Sequence, residues 1–284
     1  MILIADSGST KTDWRLIDDK NKIHQANTQG INPYFVSTDD ISKILENELL
    51  PALPTFIENE KIEIHFYGAG CSSIEKCNEV KLGLEKIFKH AQIIVEHDLL
   101  AAARALCGYN EGLAAILGTG SNSCYYNGKY IVQNQPSLGF ILGDEGSGAY
   151  LGKQLICDFL NDEMPNEIYD RIKERFKLTK DEVLENVYKK PFPSRYLASF
   201  SKFIYQNLKH DYCNQLVIDA FRLFFNRHIC KYPRKGELPL GIVGSVGFYY
   251  SNIISRIADE KGIPMGKVLE SPIAGLTLYH MGEE

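Results

Sequence analysis

The chain has no stretch approaching the roughly 18 consecutive apolar residues of a membrane-spanning helix, so no bilayer span is expected. Basic charge is also scarce. With 31 Lys and Arg against 36 Asp and Glu, the formal net charge is -5, the wrong sign for a protein that grips a nucleic-acid backbone. The 16 Tyr do not alter this, because no basic patch interleaves with them. The cysteines, at positions 71, 77, 107, 124, 157, 213 and 230, are odd in number and form no C-x-x-C pair. That pattern argues against a disulfide framework and fits reduced, mostly buried thiols in the cytoplasm. No basic segment leads into an apolar run near the N-terminus, so no signal peptide is expected. Two familiar nucleotide signatures are missing as well: there is neither a G-x-x-x-x-G-K-[ST] loop nor a G-x-G-x-x-G fingerprint.

What the chain does have is one turn used twice. The apolar run Ile2-Leu3-Ile4-Ala5 ends in Asp6-Ser7-Gly8-Ser9-Thr10-Lys11-Thr12, and Leu113-Ala114-Ala115-Ile116-Leu117 ends in Gly118-Thr119-Gly120-Ser121-Asn122-Ser123. Each is followed by a second alternating stretch. A strand–turn–strand with free backbone N–H groups and hydroxyls at its bend suits phosphate oxygens. Two of them, in successive halves, point to two related domains holding one polyphosphate in a cleft.

Length and composition, at 284 residues with 44% hydrophobic and 24% charged, fit two medium α/β domains. The first spans 1–111 and the second 112–271, with a helical insertion over about 165–232; a closing helix over 272–284 is free to pack back on the first. Strands are expected at 2–6, from the first turn to 18, and at 23–28, with a helix over 38–50 that Pro51 ends. Next come a strand over 62–67, a helix over 73–88, a strand over 93–95 and a helix over 99–107. The second half repeats the opening, with Asn127-Gly128 as a type I′ hairpin signal before a strand over 130–132. A helix over 149–160 precedes the insertion, and a strand over 240–243 runs through Gly244-Ser245-Val246-Gly247 into a helix reaching about 261.

Several residues carry candidate chemistry. Asp6, at the end of a central strand, can hold Mg²⁺, usually through water. Asp98 follows a buried strand and opens a helix. It reads either as an N-cap or as a base at a strand end facing the cleft. His97 reads as structural. Gly143-Asp144-Glu145-Gly146-Ser147-Gly148 is an acidic turn at a helix start, where negative charge is favourable in any case. Gly244 to Gly247 can pack against a flat ring or be only a tight turn.

In this order these segments, with Gly30-Ile31-Asn32-Pro33, resemble the BadF/BadG/BcrA/BcrD-type ATPases, most of all the N-acetylglucosamine kinases of that group, within the actin/hexokinase/Hsp70 superfamily of ribonuclease H-like domains. The resemblance covers essentially the whole chain. It implies an ATP-dependent amino-sugar kinase that phosphorylates N-acetylglucosamine at O6, with ATP as co-substrate and Mg²⁺ as cofactor. It implies Asp98 as catalytic base. It places Asp6, Ser7, Gly8, Ser9, Thr10, Lys11, Gly118, Thr119, Gly120 and Ser121 around the phosphates, and Gly244, Ser245 and Gly247 at the adenosine. Asn32, Asp98, Ser137, Leu138, Gly139 and Asp144 would line the sugar. The first motif departs from the family's usual D-G-G-G-T at Ser7 and Ser9, and Leu138 stands where the family often has Trp.

The expected partner is a small sugar, with no nucleic acid and no membrane, and a homodimer is compatible with the chain. Two other readings stand beside the kinase. One is an ATPase that activates a radical dehydratase through a bridging iron–sulfur cluster, which asks for paired cysteines near a glycine turn. The other is a sugar- or nucleotide-binding regulator without turnover.

Overall fold

The computed structural model describes residues 1–8, 10–54 and 61–282. The chain divides into two compact units: Met1–Asn110 with Gly128–Tyr130 and Ser271–Glu284, and Glu111–Asn127 with Ile131–Glu270.

The first unit is built on a sheet of β1 (Ile2–Ser7), β2 (Lys11–Ile17), β3 (Ile23–Gln29), β4 (Glu63–Gly68) and β5 (Gln92–His97), in the order β3-β2-β1-β4-β5. β1 runs antiparallel to β2 and parallel to β4, and β4 is parallel to β5. β1 is covered on both faces, which is why it reads as a continuous apolar run. Trp14 on β2 is fully buried, and its Nε1 donates to Thr28 Oγ1 at 3.0 Å, so the ring's one polar atom is satisfied inside the core. Around the sheet lie α1 (Thr38–Ile44), α2 (Ile74–Ile87) and α3 (Asp98–Cys107). The helix expected over 38–50 changes pitch: α1 gives way to a π turn at Leu45–Leu49 and a 3₁₀ turn at Leu50–Ala52, so Pro51 sits inside the last turn rather than ending an α-helix.

The second unit repeats this plan with β6 (Glu111–Leu117), β7 (Ser121–Asn127), β8 (Ile131–Asn134), β9 (Leu240–Val243) and β10 (Met265–Leu269), in the order β10-β9-β6-β7-β8. In both units an antiparallel three-strand meander is extended by two parallel strands. The turn between β7 and β8 is not the two-residue type I′ expected from Asn127-Gly128. Tyr126 pairs with Ile131, four residues lie between them, and of these only Gly128 has a positive φ, of 88°. A short helix α4 (Gly139–Leu142) leads to α5 (Gly148–Leu160), then α6 (Asn166–Phe176), α7 (Lys180–Tyr188), α8 (Pro193–Ala198), α9 (Ser201–Gln206) and α10 (Asp211–Arg227). The stretch after β9 forms two helices, α11 (Ser245–Tyr249) and α12 (Ser251–Glu260), where one was expected. The core of this unit is aromatic, with Phe221, Phe224 and Phe225 fully buried.

The closing helix α13 (Ile273–Met281) belongs to the first unit. It meets α3 so closely that a Cβ on Gly275 would lie 2.6 Å from the Ala105 carbonyl oxygen. Among the described residues no helix is long and apolar enough to cross a membrane.

Candidate active site

In the first unit the pairing register aligns the C-terminal ends of the parallel strands: Ser7 is level with Gly68, and Gly68 with His97. Strand ends of this kind are where α/β folds gather their functional groups. Asp6 is one residue short of that edge and Asp98 one residue past it, at the start of α3.

The surrounding strands withdraw Asp6 from water and raise its carboxyl pKa to about 7; Asp98 and Asp13 push it further, and Lys11 opposes them. Lys11 Nζ itself pairs with Asp13 at 2.9 Å. Asp98 is also raised by burial, against the opposing influence of His97 and the Leu99 backbone N–H. Two carboxyls thus share a poorly solvated edge. This donor set fits Mg²⁺, which takes one or two carboxylates and fills its other positions with water and substrate phosphate oxygens. Among the described residues no group of three or more His, Cys, Asp and Glu gathers into a metal cage.

The structure answers the question of the α3 cap. The N-cap is His97, whose Nδ1 accepts the Leu100 N–H at 3.2 Å, and Asp98 is the first helical residue. The N-cap bond to Leu100 is therefore made by the neighbour, while the Asp98 carboxylate meets only its own N–H and that of Leu99.

The first turn is closed by Gly8 N–H donating to the Lys11 carbonyl at 3.0 Å, with Thr10 and Lys11 exposed beside it. Ser9 lies outside the described residues. Ser7 departs from its expected part: its side chain is buried, lies 2.7 Å from Thr12 Oγ1, donates to the Ile31 carbonyl at 3.0 Å and accepts the Ile31 N–H at 3.0 Å. The hydroxyl ties the first turn to the 30–32 loop and is used up there. A glycine at this place would leave those Ile31 backbone groups without that partner.

That loop presents Asn32, which is buried, and whose Oδ1 accepts the Tyr34 N–H at 3.0 Å. Tyr34 OH lies 3.1 Å from Ser72 Oγ, so the loop is stitched to the turn after β4.

In the second unit the Gly118–Gly120 turn is held by its own backbone. Gly118 N–H donates to Gly120 O at 3.0 Å; Gly148 and Ala149 N–H donate to Gly118 O at 2.8 Å and Thr119 O at 3.0 Å. The Thr119 side chain is exposed. Asp144 is buried in a left-handed conformation at φ 56°, and its Oδ1 accepts the Ser121 N–H at 3.3 Å. Burial raises its carboxyl pKa, and the Ser121 bond opposes this. Ser121 Oγ is buried with no partner among the described residues. Gly244 stands against the base of the same turn at φ 119°, where a Cβ would lie 2.4 Å from Leu117 O, so only glycine fits. Gly247 is buried and Ser245 exposed, both on α11. The structure therefore brings Gly118, Thr119, Gly120, Ser121, Asp144 and Gly244 together.

Ser137, Leu138 and Gly139 form the approach to α4. Ser137 Oγ donates to Ser121 O at 3.4 Å, whereas the Leu138 side chain is 57% exposed. One charged residue near this site went unassigned in the sequence reading. Glu145 is buried and paired with Arg227 and His228, which lie over 80 residues away and left no local trace.

A scan against family models and a search of curated proteins return no match. Solved structures do match. A provisionally assigned N-acetylglucosamine kinase from Porphyromonas gingivalis is 42% identical over 99% of both chains, with a TM-score of 0.93. A second provisionally assigned N-acetylglucosamine kinase, from Chromobacterium violaceum, is 18% identical over 98% of both chains, with a TM-score of 0.75. Hexokinase from Schistosoma mansoni in complex with glucose is 15% identical over 99% of this chain and 85% of its own, with a TM-score of 0.54. The last two share the fold: two α/β units with mixed sheets, of the hexokinase type. The identity to the first, over essentially the full length of both proteins, places this chain in the family of sugar kinases that the Porphyromonas gingivalis protein represents.

Proposed function

We propose that the protein transfers the γ-phosphoryl group of ATP to O6 of N-acetylglucosamine, and that its family is the kinase branch of the BadF/BadG/BcrA/BcrD-type ATPases. The observation that carries this reading is the full-length 42% identity to the Porphyromonas gingivalis protein. The withdrawn carboxylate of Asp98, at the first position of α3 rather than at its N-cap, supports it.

Phosphoryl transfer asks the protein for positioning and charge stabilisation more than for covalent chemistry. Asp98 accepts the proton of the attacking hydroxyl. Burial raises its pKa above the usual carboxylate range, which is the direction that strengthens a base. Asn32 and Asp144 bind sugar hydroxyls, Asn32 as donor and acceptor and Asp144 as acceptor. Ser137, Leu138 and Gly139 line the sugar. The 8–11 and 118–121 turns bind phosphate oxygens through the Thr10 and Thr119 hydroxyls and through backbone N–H groups other than those of Gly8, Gly118 and Ser121, which already have protein acceptors. Gly244, Ser245 and Gly247 take the adenosine. Asp6 holds Mg²⁺, through water, and the ion when bound offsets charge on the phosphates.

The test is a panel of hexosamines with ATP, read by ADP release and by phosphorus NMR of the product. N-acetylglucosamine 6-phosphate is the expected product, and the 6-deoxy sugar should bind without turnover. Phosphate on O1, or no hexosamine turned over, would overturn the assignment.

A further inference from the structure

Glu145 shares the glycine-bracketed turn with Asp144 but has no part in the chemistry above. It is 3% exposed. Its carboxylate is clamped from the end of α10: Arg227 Nη1 donates to Oε1, and His228 Nε2 lies 3.0 Å from Oε2. Burial raises the Glu145 carboxyl, but the His228 and Arg227 bonds outweigh it, and the group is held below the usual carboxylate range. His228 is itself buried and stacked on Phe224, with ring centroids 5.2 Å apart. The same helix meets the turn one residue later, where a Cβ on Gly146 would lie 3.1 Å from both Phe221 and Phe224. At its far end the turn is fixed to α5, since Ser147 N–H donates to Asp144 O at 3.0 Å and Ser147 Oγ accepts the Tyr150 N–H at 3.1 Å. Asp144, in its left-handed conformation, is the residue in between.

A buried ion pair is a weak device for stability, because well-packed apolar residues of the same volume often do as well. What it supplies is a fixed geometry. We propose that Glu145, clamped by Arg227 and His228, is a positioning residue that holds the 143–147 turn so that the Asp144 carboxylate meets the sugar hydroxyls. The inference rests on the reading of Asp144 as a sugar ligand.

The test compares Asp144→Asn, Glu145→Gln, the double variant and Arg227→Met, each measured for sugar KM, ATP KM, kcat and melting temperature. Glu145→Gln should raise the sugar KM about 10-fold and leave the ATP KM within about twofold. The double variant should be no worse for sugar than Asp144→Asn alone, because the second change acts only through the first. Arg227→Met keeps the test decisive if Glu145→Gln fails to fold, since Arg227 is half-exposed; it should raise the sugar KM about threefold. A lowered melting temperature with unchanged sugar KM, equal losses for sugar and ATP, or additive effects in the double variant would overturn the positioning role alone. An unchanged sugar KM in Asp144→Asn would overturn both this role and the sugar-ligand reading.

Discussion

Gly70 and Asn32 are fitted to each other: a Cβ on Gly70 would lie 2.3 Å from Asn32 Oδ1, and Gly70 has a φ of +85°. The residue that bends the chain after β4 therefore also sets how deep the Asn32 amide sits. Gly70→Ala should cost about 2 kcal/mol of stability from the strained backbone alone. Displacing the Asn32 amide should also raise the sugar KM several-fold while the ATP KM stays put. Chemical denaturation and two-substrate kinetics check the two halves of this expectation separately.

Asp98→Asn keeps the shape of the side chain and removes proton acceptance. kcat should fall by about 10²–10⁴-fold with little change in ATP affinity. Because His97 provides the cap, the melting temperature should hold. Near-normal turnover in this variant would remove Asp98 from the mechanism.

Thr119→Val and Thr10→Val each keep volume and lose a hydroxyl. Both should weaken binding of a non-hydrolysable ATP analogue and leave sugar binding intact. Unchanged calorimetric affinity for the analogue in Thr119→Val would mean that the two-turn clamp is wrong for the second turn.

The closing helix makes stability depend on pH. His280 is half-buried against β4: its ring lies 4.0 Å from that of His65, and its Nε2 lies 2.9 Å from Tyr67 OH. Arg104 donates to the same Tyr67 oxygen, which places a guanidinium charge beside the imidazole. Burial first, then His65 and Arg104, lower the His280 pKa to about 3. His65 is also lowered by burial, although Glu63 partly restores it. Above the unfolded value of 6.5, both states of His280 are neutral and its contribution is constant. As pH falls below that value the unfolded chain takes up a proton that the folded one refuses. Stability should then drop by up to about 1.4 kcal/mol per pH unit, down to the folded pKa. Denaturation midpoints at a series of pH values should show this slope, and His280→Gln should flatten it.

Much of the architecture was legible in the sequence. β1 and β6 are central strands covered by neighbours, and this makes them dense apolar runs that end abruptly at polar turns. β10 escaped notice because Met265–Leu269 is half-exposed at the sheet edge and lacks such a run. The alternative of Asp98 as a cap rests on a sound preference for Asp over His, but the β5–α3 junction places His97 one residue earlier with its ring nitrogen in range. The inward role of Ser7 was hidden for a different reason: its partner, Ile31, is 24 residues away, and only the folded loop brings the two together. Long-range partners explain the silence of Glu145 in the same way.

The division of labour between His97 and Asp98 has an evolutionary consequence. In many helices the acid at the N-terminus is bound to its structural duty, and its loss costs the fold as well as the chemistry. With Asp98 as the proposed base, the two are carried by adjacent residues, so a single codon change at position 98 would silence turnover and leave the His97 cap of α3 in place. A lineage built on this scaffold stands one substitution away from a protein that still recognises its ligands but no longer consumes them.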